Sequence, residues 1–118
     1  MSKYGNIKAY ADGIQFDSIK EKNRYIELKL MEKAGEISDL KLQVEYELIP
    51  PQKIVTGYTK TLKPKYKTIR GCSYKADFTY LDHDKNMVVE DVKGVKTDVY
   101  KLKKKLMLQK YGIYIKET

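Results

Sequence analysis

The sequence predicts an α/β fold of the α+β kind, a mixed central sheet flanked by helices, in a single domain over residues 1–118. Three observations predict it: a helical spacing of apolar residues within 16–35, a period-two alternation within 40–49, and a hairpin pattern over 73–92 followed by a second helical spacing. A chain of 118 residues supports one modest core and is too short for two domains of ordinary size.

In 16–35, Asp17 or Ser18 can cap a helix, Tyr25, Leu28 and Met31 share a face, and Gly35 stands where a C-terminal cap belongs. In 40–49, Leu40, Leu42, Val44, Tyr46 and Leu48 fall on one face of a strand and Lys41, Gln43, Glu45 and Glu47 on the other, until Pro50 and Pro51 end it. Residues 48–76 hold seven basic side chains, no acidic one, and the interleaved tyrosines Tyr58, Tyr66 and Tyr74. This stretch is either a nucleic-acid contact, with Lys65, Lys67 and Arg70 neutralising phosphates, or a solvated basic loop or hairpin. Residues 73–81 and the β-branched 87–92 make a hairpin around the turn-forming Asp82-His83-Asp84-Lys85-Asn86. Thr97 or Asp98 caps a second helix reaching about Lys110, with Val99, Leu102 and Leu106 inward and Lys101, Lys104 and Lys105 turned to solvent or DNA. Gly112 stops it, and 113–116 is a short strand with Ile113 and Ile115 inward. The order is helix, strand, strand, strand, helix, strand.

Twenty-four Lys and Arg against sixteen Asp and Glu leave a net charge of +8, a field that concentrates polyanions, so nucleic acid is the first partner to consider. The single cysteine, Cys72, excludes an intrachain disulfide and a cysteine-rich zinc site, and fits a reducing cytoplasm. Residues 1–10 carry no apolar core of signal-peptide length and no apolar run has membrane-spanning length, so neither export nor membrane insertion is expected. His83 is the only histidine and sits in a turn, which excludes paired-histidine nucleases and histidine-rich zinc hydrolases. No glycine-rich phosphate loop is present, which argues against an NTPase.

On the strand over 87–92 and its continuation, Asp91 and Lys93 lie on one side and Glu90 and Val92 on the other. Asp77 lies on the strand that pairs with it, where its carboxylate can converge with that of Asp91. Two carboxylates beside water and a phosphate suit magnesium, with manganese as the expected substitute. Lys93 would position or deprotonate the attacking water and offset charge on the phosphorane. The spacing alone is common by chance; its placement on a hairpin with a helix before and a basic helix after carries the weight.

That order resembles the αβββαβ core of the (D/E)xK nucleases, the restriction-endonuclease-like superfamily that includes Holliday junction resolvases and type II restriction enzymes. The runs Gly13-Ile14-Gln15-Phe16-Asp17-Ser18, Glu21 with Tyr25, Tyr74-Lys75-Ala76-Asp77-Phe78 and Val88-Val89-Glu90-Asp91-Val92-Lys93-Gly94 resemble small phage and prophage proteins and the endonuclease subunit of heteromeric transposases. The resemblance implies a catalytic set of Glu21, Asp77, Asp91 and Lys93, with the carbonyl of Val92 also reaching the metal. It further implies cutting of branched or recombination DNA by a homodimer in the cytoplasm of a bacterial host. Many relatives carry Glu where this chain has Asp91, a shorter arm, and Glu90 stands adjacent.

Read from the residues alone, Glu21 has two roles open to it, since it also stands three positions after Ser18, where it would close a capping box. Two alternatives to a nuclease remain: a non-catalytic DNA-binding module with the nuclease fold, and an RNA-binding accessory protein.

Overall fold

The computed structural model describes residues 8–118. The elements are β1 (Ala9–Ala11), β2 (Ile14–Phe16), α1 (Ile19–Lys33), β3 (Ser38–Ile49), β4 (Gln52–Tyr58), β5 (Pro64–Ile69), β6 (Cys72–Leu81), β7 (Met87–Asp91), α2 (Asp98–Tyr111) and β8 (Lys116–Glu117). Strands β3, β6, β7 and β8 form the main sheet in that order, antiparallel except for the parallel β7–β8 edge. The fold is thus a mixed α+β one. Counting only the main sheet and its helices, the elements run helix, three strands, helix, strand; the hairpins β1–β2 and β4–β5 are additions that the expected order did not contain. The signal-peptide argument over residues 1–10 falls largely outside the described residues; among those described, no helix is long and apolar enough to cross a membrane.

Three expectations are corrected. Helix α1 begins at Ile19 rather than at residue 16, because residues 14–16 pair with β1 and Ser18 stays extended, its Oγ accepting the Glu21 N–H at 3.1 Å as a helix cap. Phe16 is instead buried against Tyr25, ring centroids 5.0 Å apart. The far end closes as read: Gly35 has φ +80° and the Glu36 N–H returns to the Met31 carbonyl at 2.9 Å, a left-handed cap that suits glycine.

The second correction concerns α2, whose inner face is shifted by about one position. Tyr100 and Met107 are buried, while Val99 and Leu102 are exposed and only Leu106 is partly covered. Tyr100 and Met107 stand seven apart, each one position beyond Val99 and Leu106, so helical periodicity could not separate the two faces. The larger aromatic and thioether side chains bury more area, and the Tyr100 hydroxyl gains a 2.7 Å hydrogen bond to Glu117 on β8.

The third correction is that β3 does not keep one face inward. Its burial alternates as expected, yet Leu40 and Leu42 pack in a core with Phe16, Tyr25, Leu28 and Phe78, whereas Tyr46 and Leu48 pack in a core with Tyr100, Met107 and Ile115. These cores lie on opposite faces of the sheet, since the adjacent residues Val88 and Val89 of β7 enter one each. On β6, Tyr74 and Ala76 belong to the α2-side core and Phe78 and Tyr80 to the α1-side core. Both strands therefore exchange faces together, β3 at Gln43, where φ is +54°, and β6 at Asp77, while pairing Val44 with Ala76 and Leu42 with Phe78 on either side. Asp77 sits at the bend.

Between β3 and β6 the chain leaves the body as the β4–β5 arm. Pro50 and Pro51 end β3, and a side chain at Gly71 would collide with the Ile49 carbonyl and the Pro51 backbone, so the crossing at the arm's base admits only glycine.

Candidate active site

A cleft of about 310 Å³ opens where the N-terminus of α1, the bend of β3 and β6, and the end of β7 meet, with Glu21, Gln43, Lys75, Asp77, Asp91 and Lys93 on its walls. The sequence-expected quartet Glu21, Asp77, Asp91 and Lys93 is brought together there, and Val92 lines the same cleft.

Each side chain is placed by its element. The Asp77 carboxylate is half-buried, its Oδ2 accepting the Val92 N–H at 2.9 Å and its Oδ1 the Gln43 amide at 3.4 Å. Asp91, 3% exposed, closes β7; its Oδ2 accepts the Tyr74 hydroxyl at 2.8 Å and the Lys93 ammonium at 2.9 Å. Lys93 follows just past the strand end and is held from the other side by the Tyr100 ring, 4.0 Å from its Nζ to the centroid. Glu21 is buried at the first turn of α1. Half of the capping box is present, since Ser18 takes the Glu21 N–H, but the Glu21 carboxylate accepts the Asp17 N–H at 3.4 Å. It thus steadies the helix start through Asp17 rather than by closing a capping box, and it lines the cleft.

The electrostatics are those of a crowded acidic pair. Burial, then the neighbouring Asp77, pushes Asp91 up to about 7, while Lys93 and Tyr74 pull it back. Burial also raises Asp77, with Glu21 adding to it and the Val92 N–H opposing. Two buried carboxyls lining one cleft hold a proton readily, since burial and their mutual repulsion both disfavour a second charge.

Such a pair is an oxygen donor set in want of positive charge. Among the described residues no three His, Cys, Asp or Glu side chains form a ready-made metal cage. Magnesium does not require one: it is usually held by one or two carboxylates with waters and substrate phosphate completing the shell. Asp77 and Asp91 fit that demand, and a softer metal would find no sulfur or imidazole here.

The adjacent Glu90 belongs elsewhere. It is fully buried on the opposite face, bound by Arg24 through two nitrogens, one at 2.9 Å, by the Tyr80 hydroxyl at 2.7 Å and by Thr118. Pairing, as the β alternation requires, puts Asp91 and not Glu90 in the cleft.

The expected nucleic-acid contacts divide. Lys65, Lys67 and Arg70 are exposed on the β4–β5 arm and at its base, and Lys101 and Lys105 are exposed on α2. Lys104 is corrected: it is largely covered, 3.3 Å from Glu117 and over the Tyr114 ring, because the one-position shift of α2 carries it inward. Sequence reasoning missed Tyr74, Tyr100 and Lys75 as site residues. Lys75, two positions from Asp77, was accessible to a spacing argument; Tyr74 and Tyr100 were not, since they arrive through the bend and the helix shift. Gln43, read from the sequence only as an outward residue of β3, reaches the cleft at the bend, where its amide donates to Asp77.

Neither the curated proteins nor the solved structures yield a match to this chain. A family model described as a protein of unknown function, DUF1064, matches residues 1–116, and the chain belongs to that family.

Proposed function

We propose that this protein is a magnesium-dependent DNA endonuclease of the (D/E)xK, restriction-endonuclease-like superfamily. The observation that carries the reading is the convergence of Asp77, Asp91 and Lys93 in one open cleft, with Glu21 on its rim and Glu90 held apart. The helix–strand–strand–strand–helix–strand order supports it, as does the net charge of +8 around an acidic pocket.

Asp77 and Asp91 would hold the ion, with waters and the substrate phosphate completing its shell, and Glu21 and Val92 line the same cleft. When bound, magnesium polarises the scissile phosphate and acidifies a water, manganese serving in its place. Tyr74 and Gln43 orient the two carboxylates by hydrogen bonds to the oxygens named above. Lys93, fixed between Asp91 and the Tyr100 ring, offers its ammonium to the attacking water or to the charge developing on phosphorus. Lys75 supplies a second cation on the cleft wall for the strand's phosphate. The proposed substrate is branched or recombination DNA in a phage-infected or lysogenic bacterial cytoplasm, cut by a homodimer that presents two sites to paired strands.

The test is cleavage of labelled supercoiled, linear, single-stranded and four-way-junction DNA with magnesium or manganese, comparing the wild type with Asp91→Ala. Metal-dependent cutting that vanishes in the variant supports the reading. Tight binding with no cutting of any substrate replaces it with the non-catalytic DNA-binding module.

A further inference from the structure

The β4–β5 arm is the part of the molecule that no element of the body explains. Its strands make substantial contact only with each other, and the described residues extend 66 Å along their long axis against 27 Å along the short one. From Pro50 to Arg70 every residue but Gly57 and Thr59 is exposed. A two-stranded ribbon alone is marginally stable in water. Yet this one keeps a closed tip, in which the Thr59 N–H donates to the Lys63 carbonyl at 2.8 Å and the Lys63 N–H to the Thr59 Oγ1 at 3.1 Å.

Its chemistry is one-sided. The arm and its base carry Lys53, Lys60, Lys63, Lys65, Lys67 and Arg70 and no acidic residue. On β5, Lys65 and Lys67 share a face, and Tyr66 stands on the other, paired across the ribbon with Val55; these two are 60% and 49% exposed. Tyr58 extends that second face toward the tip. A second copy of such an arm would bring like charges together, so self-pairing is opposed, whereas a polyanion is matched along the whole length.

We infer that the β4–β5 arm is a duplex-DNA-reading ribbon that enters the major groove edge-on, its Lys65 and Lys67 face against the phosphates of one wall and its Val55–Tyr66 face against the base edges along the other. A major groove about 12 Å wide admits a two-stranded ribbon. The groove of A-form RNA is too narrow for side chains to read, so the fit selects DNA. The ribbon is joined by two two-residue connections, Pro50-Pro51 and Arg70-Gly71, to the β3–β6 pair that carries Gln43 and Asp77, so a duplex gripped by the arm is tethered to the strands that line the cleft. The inference rests on the nuclease proposal for its biological sense, but makes a binding claim that stands or falls separately.

The experiment measures fluorescence anisotropy of a 30-base-pair duplex and of its single strand in EDTA, across a salt titration, with the full-length wild type, Lys65→Glu/Lys67→Glu and Val55→Ser/Tyr66→Ser; all are exposed positions remote from the cleft walls, and melting curves check folding. Expected are at least about a tenfold loss of duplex affinity in the lysine variant, a salt slope smaller by about 2, a loss of about 5-fold or more in the Val55/Tyr66 variant, and a smaller effect on the single strand. Duplex affinity unchanged in both variants overturns the arm while leaving cleavage, assayed in parallel, to judge the nuclease. Reduced duplex binding with a wild type that cuts nothing keeps the arm and fails the nuclease. A loss confined to the single strand, or a dimer by sedimentation that the Val55/Tyr66 change dissociates with DNA affinity intact, overturns the groove assignment.

Discussion

Glu90 and Asp91 are neighbours in the chain, both almost completely buried, and opposite in fate. Glu90 faces the α1 side, where Arg24 and the Tyr80 hydroxyl outweigh the cost of burial and hold its carboxyl below the usual range. Asp91 faces the α2 side, where burial and Asp77 outweigh Lys93 and push it up to about 7. The difference teaches that burial by itself says nothing of role. A buried carboxylate whose neighbours answer its charge is architecture; one set beside a second carboxylate at an open cleft stores an electrostatic demand that a cation can meet.

The sharpest way to break this comparison is to neutralise each side in turn. Asp91→Asn is expected to reduce magnesium-dependent cleavage by about a thousandfold or more, near 4 kcal/mol of transition-state stabilisation, with the far-ultraviolet dichroism unchanged. Glu90→Gln should leave measurable cleavage in whatever fraction stays folded. Activity lost in Glu90→Gln at an unaltered melting temperature would exchange the two roles.

The Glu90 side should yield instead to a stability measurement. Arg24→Ala leaves a fully buried carboxylate unpaired, at a cost of about 3–5 kcal/mol, read as a lowered urea midpoint. Arg24→Ala/Glu90→Leu, which removes the orphaned charge as well, should recover part of that loss. A midpoint for Arg24→Ala within 0.5 kcal/mol of wild type, roughly the scatter of surface substitutions, would mean that Arg24 does not sustain Glu90.

On the Asp91 side a smaller stability effect is expected, and of opposite origin. Magnesium at about a hundred times its dissociation constant should add about 2.7 kcal/mol to the folded state, seen as a rise in melting temperature. That rise should be absent in Asp77→Asn and Asp91→Asn and present in Glu90→Gln. An equal rise in all of them would place the ion elsewhere.

The smallest effect concerns Glu117, which ties β8 to α2 behind Asp91. Hydrogen bonds from Tyr100 and Lys96, followed by Lys104, hold its carboxyl down at about 2 against an ordinary 4.5. A lowered folded value means stability that is present above pH 4.5 and lost as the pH falls toward 2. Glu117→Gln should therefore melt earlier than wild type at pH 6, with the gap closing near pH 2; a constant gap would show that packing and not charge is at work.

Much of the fold was legible because it depends on local rules. Ser18, Thr97, Gly35 and Gly112 bound the helices through capping chemistry, and the Asp82–Asn86 turn holds its hairpin with Asp82 Oδ1 accepting two backbone N–H groups at 2.9 Å. The hairpin β1–β2 escaped notice because three-residue strands carry too short a pattern. The arm was readable only as a basic segment, since its residues bury nothing and so leave no hydrophobic period.

By itself the sequence determined the carboxylates, the lysine two residues beyond Asp91 and the alternation that sends Glu90 and Asp91 to opposite faces, because a pleated strand has a fixed period of two. Only the tertiary structure decided the exchange of faces at Gln43 and Asp77, the choice of Tyr100 and Met107 over Val99 and Leu102, and the approach of Glu21 and Tyr74 to the acidic pair. These depend on which surfaces bury the most area against each other once the sheet bends, a quantity summed over residues distant in the chain that no local spacing encodes.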